Sequence, residues 1–294
     1  MIVDYNLPMA VKDQPFFSIV IPVLNEEKAL PALLSDLAHQ TTRDYEVIVV
    51  DGESTDKTVA RAKEWASKLP HLTILSSKIR NVSHQRNQGA LKARGKYILW
   101  NDADNNLPKY YLEGLRFNLH VRPVDTFTVW CNPDTDKSSD KTIATYLNLL
   151  VETAYLLGNP AAFGAMIGCR TQIFPKTGGF NPEVGFAEDT EFVRQAYKKG
   201  CSFVVFHEPR YVYSLRRFRK IGMLKAVKNY SILNLKYITK QKVDQKKEYP
   251  MGGELFSDIK TAQMFSKVDG SFKKLLKKPK ILDKIAALLS LEEE

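Results

Sequence analysis

Along residues 16–125 the chain alternates between short apolar runs and longer stretches with apolar residues at helical spacing. The runs of strand length occupy 17–24, 46–50, 72–75 and 96–100. The stretches with helical spacing occupy 26–39, 54–69 and 82–93, the second with Ser54 or Thr55 as its expected N-cap. Apolar strands separated by helices are typical of a parallel sheet covered on both faces. The pattern therefore predicts an α/β fold with a mostly parallel central sheet and helices on both faces.

Beyond residue 125 the alternation is less regular. The expected elements are strands at 126–131 and 202–206, helices at 142–157 and 188–199, and a strand region rich in small residues at 161–173. After Arg216 the pattern is helical and basic as far as Lys247. We therefore expect an N-terminal extension at 1–15, one domain at 16–220, and a basic helical C-terminal region at 221–294.

Polar clusters follow three of the strands predicted in the first half of the chain. The sequence Asn-Glu-Glu occupies 25–27, Asp-Gly-Glu-Ser-Thr-Asp occupies 51–56, and Asn-Asp-Ala-Asp occupies 101–104. The carboxyl ends of parallel strands meet at one edge of a sheet, and ligands bind outside that edge. We expect the three clusters to converge there and to form the functional site.

Asp102 and Asp104 are separated by one residue, so on a loop both carboxylates can face the same point. Two carboxylates together with diphosphate oxygens suit a hard cation such as Mg²⁺ or Mn²⁺. An ordinary polar turn before a helix near Pro108 would use the same residue types. The position at the end of a parallel strand favours the metal interpretation.

Four further residues have both a functional and an ordinary interpretation. Asp51 is placed to accept hydrogen bonds from a nucleotide base or ribose, or else it is a turn acid beside Gly52. Arg86 is placed to pair with a phosphate or carboxylate, or else it is a solvated helix charge. Glu188 and Asp189 begin a helix, where acids are favoured by the helix dipole, but one of them is also a candidate general base.

Two later features are also ambiguous. Residues 216–220 contain four cations among five residues, which suits phosphate recognition, although charge runs are usually solvated. His207 is either a third metal ligand or a histidine satisfied by neighbouring groups at a strand end, and we favour the second interpretation.

The chain is basic overall, with 43 Lys and Arg residues against 33 Asp and Glu residues and a net charge of +10. Most of the dense basic clusters lie within 210–280, which indicates an anionic partner. Substrate phosphates, lipid headgroups and nucleic acid all fit that charge. The acidic strand ends would repel a nucleic acid, so we expect no nucleic-acid partner.

The segment 271–289 mixes Leu, Ile and Phe with Lys at near-helical spacing, interrupted at Pro279. One interpretation is a segment that lies on an anionic membrane surface. The other is a helix pair packed on the domain or on a second subunit.

The expected compartment is reducing, because the three cysteines are widely separated and lack metal-ligand spacing. The first residues lack the pattern of a secretory leader, and no apolar run reaches the roughly 18 residues of a membrane-spanning helix. We expect a cytoplasmic protein that is soluble or peripheral on the cytoplasmic face of a membrane.

Taken in order, these motifs resemble those of family 2 glycosyltransferases with the GT-A fold. The segments that carry the resemblance are Ile-Val-Ile-Pro-Val-Leu-Asn-Glu at 19–26, the cluster at 51–56, Arg-Asn-Gln-Gly at 86–89, Asp-Ala-Asp at 102–104, Gly-Gly-Phe at 178–180, Glu-Asp at 188–189 and Arg-Arg-Phe at 216–218. The resemblance implies a Rossmann-like domain at 16–220 with a nucleotide-binding half at 16–125 and an acceptor half at 126–220. It also implies a nucleotide-sugar donor, a sugar or lipid-linked acceptor, a divalent cation (Mn²⁺ or Mg²⁺) and, usually, inversion at the anomeric carbon.

The resemblance also implies roles for individual residues. The nucleotide-sugar site would comprise Pro22, Asn25, Glu26, Asp51, Arg86, Asp102, Arg216 and Arg217. Asp104 would be the principal metal ligand, with Asp102 contacting either the metal or the ribose. Asp189 would be the general base, with Gly179 and Glu188 on the acceptor side. The chain lacks the Gln-x-x-Arg-Trp segment that is frequent in processive synthases, which favours addition of a single sugar.

Two alternatives of other kinds stay open. A transferase-like protein without activity would keep the same motifs as a nucleotide-sugar-binding site. A dinucleotide-dependent oxidoreductase also places an acid at the end of its second strand, but no Gly-x-Gly-x-x-Gly follows the first strand here.

Overall fold

The structure is a computed structural model that describes residues 14–221, without the side chains of Arg217, Lys220 and Ile221. Most of the N-terminal extension and nearly all of the basic C-terminal region, including 271–289, lie outside the described residues. Along the described part of the chain, no helix is both long and apolar enough to cross a membrane.

Strands and helices alternate along the described chain. The strands are β1 (Phe17–Val23), β2 (Tyr45–Asp51), β3 (Leu72–Ser76), β4 (Tyr97–Asn101), β5 (Thr126–Pro133), β6 (Met166–Arg170) and β7 (Phe203–Tyr213). The helices are α1 (Leu30–Ala38), α2 (Thr58–Lys63), α3 (Val82–Ala90), α4 (Tyr111–Val121), α5 (Ser138–Leu156), α6 (Phe174–Thr177), α7 (Glu188–Lys198) and α8 (Arg216–Ile221).

Within residues 14–221 the strands form one seven-stranded sheet in the order β3-β2-β1-β4-β6-β5-β7. The pairs β1–β2, β1–β4, β2–β3 and β5–β7 are parallel, whereas β6 is antiparallel to both of its neighbours. The predicted α/β fold with a mostly parallel sheet is therefore confirmed.

The core lies on both faces of the sheet because successive side chains of a strand point to opposite faces. In β1, Ile19 and Ile21 belong to a core cluster with the leucines of α1 and α4. The intervening Val20 belongs to the opposite cluster, which includes Trp100 and Phe192 of α7. Burial on both faces explains why the central strands contain so few polar residues.

The antiparallel strand β6 passes close to β5. Gly168 of β6 pairs with Phe127 of β5, and a Cβ atom at Gly168 would lie only 2.0 Å from Cζ of Phe127. A larger residue could not occupy this position without displacing the aromatic ring. The small residues of the 161–173 region therefore serve close packing in the sheet.

The first two helices begin later than the sequence predicts. The amides of Asn25 and Glu26 donate to the side-chain oxygens of Ser54 and Thr58 at 2.9 and 2.8 Å. The two segments therefore pair with each other as loops, and α1 and α2 start only beyond them, α2 at Thr58. The expected N-cap at Ser54 or Thr55 is wrong, because the Ser54 hydroxyl accepts a hydrogen bond from the amide of Asn25 and the N-cap of α2 is Lys57.

Strand β7 is much longer than the predicted strand at 202–206. The polar sequence His207-Glu208-Pro209 interrupts its apolar pattern and resembles a strand end. Pairing with β5 continues beyond it after an irregularity, from Val129 opposite Phe206 to Cys131 opposite Tyr211. This extension brings the chain back to the edge of the sheet where α8 begins.

Candidate functional site

The polar clusters of the first half converge at one edge of the sheet, as predicted from their positions at the carboxyl ends of parallel strands. Val23 at the end of β1 pairs with Asp51 at the end of β2, and β4 lies on the other side of β1. The loops after these three strands therefore open at the same edge, and α8 reaches it from the far end of the chain.

The loop at 25–27 is held in an unusual conformation by its neighbour. Asn25 has a φ of +55°, a left-handed conformation that asparagine tolerates better than most residues. Its side-chain oxygen accepts a hydrogen bond from the amide of Thr55 at 2.8 Å, and its own amide donates to Ser54. The side chain of Asn25 thus ties the loops after β1 and β2 together.

Asp51 is buried at the tip of β2, where its carboxylate accepts hydrogen bonds from the amide of Ser54 at 3.1 and 3.3 Å. Pro22 lies in β1 opposite Val50 and is buried as well. The strand ends beneath them are joined by Gln85, whose side-chain amide donates to the carbonyls of Val23 and Val50 at 2.9 and 2.8 Å. The acid is therefore placed rigidly at the site edge.

Arg86 of α3 is a buried connection between the two halves of the site. It is only 2% exposed, and Nη1 donates to Oε1 of Glu188 at 2.9 Å. Nη2 donates to Oδ1 of Asp102 and to the carbonyl of Gly164, both at 3.2 Å. Burial by itself would lower the pKa of Arg86, but the carboxylates of Asp102, Glu188 and Asp189 raise it above its ordinary value. The solvated-charge interpretation of Arg86 is wrong.

Replacing Arg86 with methionine should lower the free energy of unfolding by about 3–5 kcal/mol, because it leaves the buried Glu188 carboxylate without its cation. Urea denaturation measures the loss. In the exposed pair Arg61–Glu64, which lies 3.3 Å apart, the matched change Arg61→Met should cost less than about 1 kcal/mol. Equal losses in the two variants would contradict this description of Arg86.

Asp189 lies in the first turn of α7 beside Glu188. Its Oδ1 accepts a hydrogen bond from the amide of Thr190 at 2.6 Å, and its Oδ2 accepts from the amide of Gly164. Burial and the neighbouring Glu188 raise the pKa of Asp189 well above its usual range, against the lowering effect of Arg86. A half-buried carboxylate with a raised pKa can take up a proton near neutral pH.

Asp102 and Asp104 lie in the turn after β4. Helix α4 begins only at Tyr111, and its N-cap residue Tyr110 makes no side-chain capping bond, so the two acids do not cap it. Their side chains are 36% and 21% exposed. The polar-turn interpretation as a helix cap therefore does not describe these carboxylates.

The two carboxylates of this turn could supply part of the coordination shell of a cation, with the remaining ligands coming from outside the protein. Within residues 14–221 no group of three or more His, Cys, Asp or Glu side chains is arranged as a metal site. Mg²⁺ and Mn²⁺ are commonly held by one or two carboxylates, with water and phosphate oxygens in the other positions. Asp102 and Asp104 match that requirement.

Arg216, the first residue of α8, connects the loops after β1 and β4. Its Nη2 lies 3.0 Å from Oε1 of Glu26, and its Nε lies 2.9 Å from Oδ2 of Asp104. Burial raises the pKa of Glu26 to about 7, with Arg216 lowering it and Asp104 and Asp102 raising it further. The edge thus combines three carboxylates with an arginine. The side chain of Arg217 lies outside the described residues.

The glycine turn after α6 is fastened to α3. Gly179 has a φ of +73°, and the next residue, Phe180, exchanges hydrogen bonds of 2.7 and 2.8 Å with the side chain of Asn87. The ring of Phe180 lies 5.2 Å from Cζ of Arg86. The carboxylate of Glu188 pairs with Arg86, so in this structure it joins the start of α7 to α3.

His207 lies within β7, away from the acidic turn. Its ring stacks on Trp130 with a centroid distance of 4.0 Å, and Nε2 lies 3.2 Å from Oε2 of Glu152. These contacts support the interpretation of a histidine satisfied by its neighbours.

The sequence did not reveal the role of the segment Gly164–Ala165. The carbonyl of Ala165 accepts from the amide of Asp102 at 3.2 Å and from the side chain of Asn105 at 2.6 Å. Gly164 contacts both Arg86 and Asp189, and a Cβ atom there would lie 2.4 Å from Nη2 of Arg86. The small residues around 161–165 indicate close packing of the main chain. They do not indicate which groups the main chain contacts, because such contacts require no particular side-chain type.

Comparison with known proteins gives a family and a fold. The model of the family described as Glycosyl transferase family 2 matches residues 18–174. A PGL/p-HBAD biosynthesis glycosyltransferase of Mycobacterium tuberculosis is 40% identical over 94 residues, which cover 32% of this chain and 37% of the relative. A cholesterol galactosyltransferase of Borreliella burgdorferi is 32% identical over 98 residues, which cover 33% of this chain and 27% of the relative. The chain thus spans about a third of the length of these two curated relatives.

Two solved structures are similar in fold. S. aureus TarS residues 1–349 in complex with UDP superimposes with a TM-score of 0.57 at 21% identity, over 79% of this chain and 68% of that one. The mannosyltransferase PcManGT from Pyrobaculum calidifontis, in complex with GDP-Man and Mn²⁺, gives 0.57 at 22% identity over 72% and 61%. At these identities the likeness shows the shared fold.

Proposed function

Since the chain belongs to glycosyl transferase family 2, we propose that it moves one sugar from a nucleoside-diphosphate sugar to an acceptor hydroxyl or lipid phosphate, with inversion at the anomeric carbon. The observation that carries the proposal is the meeting of Glu26, Asp104 and Arg216 at the edge of the sheet. Carboxylates for a cation and an arginine for phosphate oxygens are what a diphosphate leaving group requires. Asp189, which is joined to the Arg86 network through Gly164, would face the acceptor.

The donor side is assigned to the loops after β1 and β2. Asp51 would accept hydrogen bonds from the base or ribose, and Pro22, Asn25 and Glu26 would line the same pocket. Support comes from the rigid placement of Asp51 and from the complexes of the two structural neighbours with UDP and GDP-Man. Arg217 is proposed as a further diphosphate contact.

Asp104, together with Asp102, would hold Mn²⁺ or Mg²⁺. When bound, the ion neutralises charge that develops on the leaving diphosphate. Support comes from the donor set of the turn and from the Mn²⁺ in the PcManGT complex. Arg216 contributes a second positive charge at the same point, so the protein itself supplies part of the stabilisation.

On the acceptor side, Asp189 would take the proton of the attacking hydroxyl. Its raised pKa brings the carboxylate closer to the pKa range in which general bases work at neutral pH. Gly179 and Glu188 would shape the surroundings of this base. An acceptor that presents an ionised phosphate would need no base at this position.

A lipid-linked acceptor at the cytoplasmic face of a membrane is the substrate class that we favour. The names of the two relatives refer to PGL/p-HBAD biosynthesis and to cholesterol, and the C-terminal third of this chain is rich in Lys and Arg. Basic segments with interspersed apolar residues bind anionic membrane surfaces.

A thermal-shift panel of UDP-, GDP-, CMP- and dTDP-sugars, each with and without Mn²⁺, tests the proposed donor. A ligand at 100 times its dissociation constant stabilises the fold by about 2.7 kcal/mol, so one nucleotide class should raise the melting temperature. Asp51→Asn should abolish the shift, whereas Asp136→Ala, which removes a fully exposed acid, should retain it. Absence of a shift with every donor would contradict the proposed function.

A further inference from the structure

Arg219 joins helix α8 to the first turn of α5 and to the segment just before it. Its Nη1 lies 2.7 Å from Oδ1 of Asp134 and 2.9 Å from Oδ2 of Asp140. Its Nη2 bonds to the second carboxylate oxygen of Asp134, so the guanidinium forms a two-pronged pair. One arginine thus joins two carboxylates that belong to a different part of the chain.

Both carboxylates also accept hydrogen bonds from groups other than Arg219. Asp140 is buried and accepts hydrogen bonds from Thr135 at 2.6 Å and Ser139 at 3.2 Å. Asp134 also accepts a hydrogen bond from the amide of Leu215 at 3.2 Å, directly before α8. The hydrogen bonds from Thr135 and then from Arg219 keep the pKa of Asp140 below its usual range, so it is ionised at neutral pH.

The apolar contacts of α8 also join it to α5. Leu215 and Phe218 are buried in a small cluster with Ile143 and Leu147 of α5. The described part of α8, Arg216–Ile221, is therefore joined to its surroundings by both ionic and apolar contacts. Among these contacts, the ionic pair at Arg219 and this cluster hold α8 against the start of α5.

Arg216 lies one helical turn before Arg219, with its guanidinium on Glu26 and Asp104. An arginine on an unanchored segment would lose more conformational entropy when it orders on a ligand. We propose that Arg219 is a positioning residue for donor binding: its pair with Asp134 and Asp140 holds α8 so that Arg216 reaches the diphosphate. This inference rests on the proposed function, and Arg219 itself does not touch the substrate.

Calorimetric titration with UDP and with GDP, each in the presence of Mn²⁺, tests the proposal on the full chain. Arg219→Gln should weaken binding of the preferred nucleotide by roughly tenfold, within the range expected for lost preorganisation. Arg219→Lys should weaken it similarly, because an ammonium group cannot form the two-pronged pair. Arg116 of α4 forms an ion pair with Asp44 at 3.5 Å, and its removal in Arg116→Gln should leave nucleotide binding unchanged.

The decisive comparison uses the Arg216→Gln background, where a residue that acts through Arg216 has no further effect. The double variant Arg216→Gln with Arg219→Gln should bind nucleotide as weakly as Arg216→Gln alone. In transfer assays, the donor KM of Arg219→Gln should rise more than its kcat falls.

Three results would overturn the inference. The first is wild-type affinity in Arg219→Gln and Arg219→Lys, and the second is a further tenfold loss in the double variant, which would mean that Arg219 acts on the fold in general. The third is a wild-type protein that binds neither UDP nor GDP with Mn²⁺; if the thermal-shift panel also gives no shift with any donor, the proposed function is removed as well. If Arg219→Gln does not fold, Asp134→Asn, which weakens the same pair, replaces it in both comparisons.

Discussion

Sugar transfer should fall by roughly 10²- to 10⁴-fold when Asp104 is replaced by asparagine, because several kcal/mol of charge stabilisation on the leaving diphosphate is lost with the cation. The change keeps the size of the side chain and removes its charge. Asp104 also pairs with Arg216, so the variant disturbs two groups at once. Initial rates measured across a Mn²⁺ titration separate the two effects.

If Asp104 is a metal ligand, the Asp104→Asn variant should need a higher Mn²⁺ concentration than the wild-type protein to reach half of its maximal rate. High Mn²⁺ should restore part of the activity of Asp104→Asn, and the electron paramagnetic resonance signal of free Mn²⁺ should show weaker binding. Arg216→Gln is the matched control, since it breaks the same ion pair and keeps both carboxylates. Undiminished activity of Asp104→Asn at low Mn²⁺ would eliminate Asp104 as a ligand.

Replacing Asp189 with asparagine should lower kcat by about 10²- to 10⁴-fold on an acceptor hydroxyl, the usual contribution of a general base. The donor KM should change little, because the proton transfer occurs in the transition state and not in donor binding. Steady-state kinetics with the donor and acceptor varied separately measure both quantities.

The pH dependence gives a second check on Asp189. The base is active when deprotonated, so kcat of the wild-type protein should rise with pH through the pKa of Asp189 and then level off. Because burial and Glu188 raise that pKa, the rise should lie well above the pH range of an ordinary aspartate. The asparagine variant should lack this rise. A variant with near-normal turnover and an unchanged profile would remove the assignment.

The sheet and the position of its functional edge could be predicted because they depend on local pattern. Buried parallel strands require continuous apolar runs, and their polar ends are visible as interruptions at 25–27, 51–56 and 101–104. The antiparallel direction of β6 was not visible, since a short run of small residues carries no sign of its direction.

The errors in the sequence-based description have a common cause in long-range pairing. The N-cap expected at Ser54 is wrong because that hydroxyl accepts from Asn25, 29 residues away. The surface interpretation of Arg86 is wrong because Glu188, 102 residues away, provides a buried partner. Neither partner can be identified from the spacing around the residue itself, and local preference yields to such contacts.

The segment Gly164–Ala165 contacts both sides of the site through its main chain. The carbonyl of Ala165 accepts from the amide of Asp102 near the proposed cation, and the amide of Gly164 donates to the carboxylate of the proposed base, Asp189. The two hydrogen bonds are made by adjacent residues, so the turn at Asp102 and the carboxylate of Asp189 are connected through a segment of only two residues. We therefore expect a ligand that orders the turn at Asp102 to order the carboxylate of Asp189 as well, without touching it.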